Sequence, residues 1–159
     1  MSSTGTSLTP VRWRWCRFDE LGVFELDAIY RARQQVFAVE QQCAYLDADG
    51  FDARSFHLAG WGADVSLPLA CARVVPPGLK YAEPSIGRVA TTAAARGTGL
   101  GRELVRRAVG HCADAFAGQG IRISAQAHLA RFYAEAGFEP IGVPYLEDGI
   151  PHLEMLRRG

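Results

Sequence analysis

The chain has 159 residues, a length that suits one domain. At 48% hydrophobic and 21% charged it can bury a core, which excludes a disordered segment. Lys+Arg and Asp+Glu both number 17, so the basic excess of a nucleic-acid binder is absent, and the densest basic group, Arg102, Arg106 and Arg107, reads as a solvated helix face.

Residues 1–10, "MSSTGTSLTP", are small and polar and predict a flexible N-terminal segment ahead of a single domain over 11–159. "VRWRWCRF" alternates and predicts a first strand. From Val23 to about Glu40 the period changes: Leu26, Ile29, Val36 and Val39 recur at helical spacing. "DADGFDARS" is a turn by composition. "SFHLAGWG" and "LPLACARVVP" predict a hairpin, "PPGLKYAEPS" a loop, and "IGRVATT" a further strand. Leu100, Leu104, Ala108, Cys112 and Phe116 form an apolar stripe that predicts a helix from about 99 to 117. "IRISAQA" is a strand, "LARFYAEAG" a short helix closed by Gly137, and "FEPIGVPYL" and "PHLEML" are strands joined at "EDG". The predicted order is β-α-β-β-β-α-β-α-β-β.

No basic start runs into an apolar stretch, and no run approaches the roughly 18 apolar residues of a membrane span. Cys16, Cys43, Cys71 and Cys112 are scattered without a CxxC pair, which argues against a zinc ribbon or redox motif. A cytoplasmic protein with free thiols, no metal, and neither nucleic-acid nor membrane partner is the expectation.

The stretch "RGTGLG" places Gly97, Gly99 and Gly101 where a helix must begin. Helix N-termini carry unpaired N–H groups and partial positive charge, and glycines let an anion approach that backbone. Two phosphate-loop patterns fail: GxxxxGK[ST] meets Arg102 where Gly is required, and GxGxxG meets Arg102 or Leu104. Arg96, Gly99 and Gly101 do fit [Arg/Gln]-x-x-Gly-x-Gly.

That pattern, with the strand before it, the helix after it and "LARFYAEAGF" beyond the next strand, resembles the coenzyme A signature of the GCN5-related N-acetyltransferases (GNAT). The resemblance runs along nearly the whole chain from residue 11. It implies an α/β fold with a mixed, mostly antiparallel sheet of about seven strands, helices on both faces, and a splay at the middle strands. It implies acetyl-CoA as co-substrate, with the pantetheine arm against the backbone of Val89, Ala90 and Thr91. The diphosphate would rest on the amides of Arg96, Gly97, Gly99, Gly101 and Arg102. Gln126 stands where the family often has Asn, and Tyr133 matches the tyrosine that protonates the leaving thiolate. The reaction implied is direct attack of a primary amine, of a small molecule or a peptide, on the thioester.

Many relatives carry a carboxylate on the strand before the glycines; "IGRVATT" has none, and Glu83 precedes it. Glu40, His57, His128, His152 and Glu154 are the alternatives for a base. His152 and Glu154, two apart on a predicted strand, share a face and are taken as catalytic with Tyr133. "RARQQVFAVEQQCAYLDADGFD", "FHL" and "PYLEDGIPHLEM" resemble the ElaA-like branch. The acceptor side then includes Arg33, Glu40, Gln41 and His57. A catalytically idle acyl-CoA-sensing module is the competing function, and the β-rich C-terminal end offers a surface for a homodimer.

Overall fold

A computed structural model describes residues 10–159; the N-terminal segment up to residue 9 lies outside the described residues. Among the described residues seven strands form: β1 (Arg12–Arg17), β2 (Phe56–Trp61), β3 (Ala70–Val75), β4 (Ser85–Thr91), β5 (Ile121–Gln126), β6 (Glu139–Glu147) and β7 (Ile150–Arg157). Three helices join them: α1 (Val23–Arg33), α2 (Leu100–Ala115) and α3 (Ala130–Ala134). The strands make two sheets, β1-β2-β3-β4 and β5-β7-β6, with every ladder antiparallel.

Alternation along β2 and β3 explains why helices cover both faces. Leu58, Ala70, Ala72 and Val74 pack with Leu104, Val105, Ala108 and Cys112 of α2. Their neighbours Ala59, Trp61 and Cys71 pack with Ala28 and Ile29 of α1. The stripe on α2 falls on one face, and Gly110, on the exposed side, does not interrupt it.

The expected helix from Val23 to Glu40 divides. After Arg33 its turns widen over Gln34–Glu40, and the Gln41 amide reaches back five residues to the Val36 carbonyl at 3.0 Å. The sequence pattern cannot separate the two helical forms, since apolar spacing is similar in both.

β4 and β5 begin side by side, where the Arg122 amide donates to the Pro84 carbonyl at 3.0 Å, and then belong to different sheets. The two strands leave that point in the same direction and separate into a V. On β4 the register against β3 slips between Cys71↔Ala90 and Arg73↔Gly87, so β4 carries one extra residue there. Arg88 takes up the bulge with φ of 48°, a left-handed conformation that costs a residue with a Cβ about 1–2 kcal/mol.

Candidate active site

A cavity of about 260 Å³ occupies the V and the space beyond it. Its walls come from Gly87–Val89 of β4, Ser124–Gln126 of β5, Tyr133 of α3, His152 of β7, and Gln41, Cys43 and Tyr45 after the widened helical turns.

The glycine loop follows the end of β4 and precedes α2; its residues are not among those that line the cavity. Gly97 and Gly99 hold φ of 76° and 83° with nothing within 4 Å of an added Cβ, so their backbone, not crowding, selects glycine. Gly101 is different. It is the second residue of α2, with ordinary helical geometry, and a Cβ there would meet Thr91 and Phe132 only at 3.6 and 3.8 Å. The fold does not need glycine at 101. Among the described residues, the amides of Gly97, Gly99, Gly101 and Arg102 find no backbone acceptor, whereas the Arg96 amide is spent on the Ala93 carbonyl at 3.3 Å. Arg96 is thereby corrected from amide donor to clamp: its guanidinium holds the Thr91 carbonyl at 3.0 Å and Glu40 at 2.9 Å, tying the widened helix to the loop. The Arg102 side chain turns away to Glu135 at 3.2 Å. A bend with bare amides, and a helical glycine that nothing in the fold demands, fits a bulky anion such as the coenzyme A diphosphate.

Tyr133 is 8% exposed and lines the cavity, its ring held edge-on by Phe132 and Phe138. Burial alone pushes its phenol up to about 12, so it remains protonated at neutral pH and keeps a proton to give. His152 also lines the cavity. Its Nδ1 lies 2.7 Å from the Ile150 carbonyl, and a carbonyl only accepts, so Nδ1 carries the proton and Nε2 is the free base of the neutral ring. Glu147 Oε2 stands 3.5 Å from that nitrogen. Gln126 and Gln41 meet across the mouth, Nε2 to Oε1 at 3.0 Å.

Several expected residues are elsewhere. Glu154 shares the face of His152 but is drawn to Arg122 at 3.3 Å, and Glu83 grips the same guanidinium at 3.1 Å, so neither carboxylate lines the cavity. Glu40 faces Arg96, not the acceptor side, and His128 is exposed outside the cavity. His57 is 3% exposed, with Nε2 at 2.9 Å from the Asp52 carbonyl; burial lowers its pKa, which keeps it neutral and structural.

Arg33, expected at the acceptor side, is 1% exposed and belongs to a closed ring of six charges. Arg33 bonds Asp47 and Asp52, each at 2.9 Å; Arg73 bonds Asp52 at 3.0 Å and Asp49 at 2.6 Å; Arg88 lies 2.8 Å from Asp47 and 3.2 Å from Asp49. The ring ties α1, the 47–52 loop, β3 and the β4 bulge together. Burial raises the Asp52 carboxyl, but Arg33 and Arg73 outweigh it and hold it below the ordinary range; the same balance with Arg73 and Arg88 holds Asp49 down. "DADGFD" read as a turn because its aspartates suit one, yet Arg73 and Arg88, lone charges inside apolar strands, were the signal that they needed partners. Sequence reasoning also missed Ser124, Tyr145 and Glu147, which form a hydrogen-bonded group beside His152.

Among the described residues no helix is long and apolar enough to cross a membrane, and no three His, Cys, Asp or Glu side chains are grouped to hold a metal ion. An acetyltransferase (GNAT) domain model matches residues 77–158. A UPF0039 protein of Synechocystis is 44% identical over 93% of this chain and 96% of its own length. Protein ElaA of Escherichia coli is 36% identical over 92% of this chain and 96% of its own length, and its crystal structure superposes with a TM-score of 0.87 over 94% of this chain and 100% of that one. An acyl-CoA N-acyltransferase from Pseudomonas aeruginosa superposes with a TM-score of 0.88 at 37% identity, over 93% of this chain and 99% of that one. The split sheet, the glycine bend and these matches agree: the chain is an acyltransferase of the acyl-CoA-using GNAT acetyltransferase family, in its ElaA-like branch.

Proposed function

We propose that the chain is an N-acetyltransferase that moves the acetyl group of acetyl-CoA to a primary amine by direct attack. The observation that carries this reading is one continuous cavity. It joins a V flanked by β4 backbone, a buried phenol that stays protonated, and an imidazole whose Nδ1 is bound to the Ile150 carbonyl, so that Nε2 is the nitrogen without a proton in the neutral ring.

The donor is a substrate, and the residues present fit it. Val89, Ala90 and Thr91 offer main-chain groups to the pantetheine arm as an added strand would. Gly97, Gly99, Gly101 and Arg102 offer amides to the diphosphate. The amine enters from the side of Gln41, Tyr45 and Glu147. His152 Nε2 takes a proton from the attacking nitrogen, directly or through water. The oxyanion forms beside the β4 bulge, where an extra residue leaves main-chain N–H near Val89 outside the ladder. The C–S bond then breaks, Tyr133 donates its proton to the departing thiolate, and the proton taken by His152 is released to water while Tyr133 regains one from it.

Incubation with acetyl-CoA and a panel of primary amines, small and peptidic, tests the reading through release of free coenzyme A. Turnover that falls on His152→Gln supports it. Tight coenzyme A binding with no release on any amine sinks it and leaves the sensing module.

A further inference from the structure

The chain contains a single lysine, Lys80, in the loop before β4. It lines the same cavity as Tyr133 and His152. Arg73 and Arg88 stand near it, but their charges are consumed by the aspartates of the ring, which balances three guanidiniums against three carboxylates. No carboxylate of the ring is left for Lys80. Its ammonium makes no ion pair among the described residues and rests 5.7 Å from the centre of the Tyr81 ring. Lys80 is exposed as a residue, yet desolvation of its amine lowers its pKa, Arg73 and Arg88 lower it further, and Glu147 and Asp49 oppose them without reversing the direction. The amine is therefore neutral more often than an ordinary lysine's, and it lines a cavity that His152, Glu147 and Asp148 also line.

We propose that Lys80 is itself an acyl acceptor, a modification site that the protein fills from its own bound acyl-CoA. This rests on the N-acetyltransferase reading above. The neutral Nζ attacks the thioester carbonyl, an N–C bond forms and the C–S bond breaks. The proton lost by nitrogen passes to His152 Nε2 and on to water, while the sulfur leaves with its electron pair and takes the Tyr133 proton, which Tyr133 regains from water. Holding amine and thioester in one cavity makes the step intramolecular and raises its effective concentration. The product is a neutral, bulkier side chain on the acceptor's path, so the modified protein turns over added amines more slowly.

The test is to incubate the full chain with acetyl-CoA at neutral pH, follow intact mass, and map the modified peptide. The expected result is one acetyl group at Lys80, at a rate that saturates with acetyl-CoA and does not depend on protein concentration. Lys80→Arg takes up none there, and Tyr133→Phe slows the step roughly 10²-fold or more. An unmodified Lys80 overturns the proposal, as does equal labelling of the urea-unfolded chain or of Tyr133→Phe, which marks chemical acylation of an exposed amine. The amine panel run in parallel separates the two readings. An unmodified Lys80 with turnover on added amines removes this inference alone; an unmodified Lys80 without turnover removes both.

Discussion

A phenol kept neutral by burial and an imidazole tethered through one nitrogen divide the proton traffic of the proposed reaction. Tyr133→Phe keeps the ring contacts with Phe132 and Phe138 and removes only the hydroxyl. It is expected to lower kcat by roughly 10²-fold or more, with acyl-CoA affinity unchanged, as read by steady-state kinetics and titration. Sequence alone pointed to Tyr133 and to the pair His152 and Glu154. It could not choose within the pair, because the choice is made by Arg122, which lies on the adjacent strand of the sheet and draws Glu154 aside. His57 and Arg33 misled for a related reason. A polar residue at a helix or strand position reads as surface or site, and only the fold reveals a buried partner such as Asp52, 5 residues from His57 and 19 from Arg33. That aspartate is buried between two guanidiniums. Asp52→Ala leaves both without it and should cost about 3–5 kcal/mol in a denaturant unfolding experiment.

Two elements set the geometry, and each can be tested without disturbing the other. In the glycine bend, Gly101→Ala adds a methyl group that the fold accommodates at ordinary contact distance. The expected outcome is an unchanged or slightly raised melting temperature with weaker coenzyme A binding by titration. Unchanged affinity would remove the diphosphate from this bend. In the β4 bulge, Arg88 combines a left-handed backbone with two ion-pair contacts. Arg88→Ala loses the contacts and keeps the strain; Arg88→Gly loses both. The glycine variant should therefore be the more stable of the two by about 1 kcal/mol, a difference that denaturant unfolding resolves. The bend was legible from its glycines because backbone conformation selects residue type there. The bulge was not, since an arginine in "IGRVATT" carries no mark of a positive φ.

Across the molecule, alternation and helical spacing revealed the order of strands and helices, because each surviving pattern reports which face meets the core. The ring of charges escaped that logic. It joins α1, the 47–52 loop, β3 and β4 over distances no local pattern spans, and it holds in place the cavity wall that Tyr45, Leu46 and Asp49 line. Its aspartates give the fold a pH signature. Asp49 and Asp52 are depressed in the folded chain, so their contribution is complete above the ordinary aspartate value of about 3.9 and drains away as the pH falls below it. Urea midpoints should hold steady above that range and drop below it, and Asp52→Asn should flatten the acid limb.

In the proposed reaction an acyl-CoA threads the V, its diphosphate on the bend and its thioester beside Tyr133 and His152. A crystal structure with acetyl-CoA is the decisive measurement. Phosphate oxygens are expected within hydrogen-bond reach of the Gly99 and Gly101 amides, with the pantetheine chain alongside Val89–Thr91. A nucleotide seated elsewhere, with β4 and β5 flanking no part of it, would rule this mode of binding out.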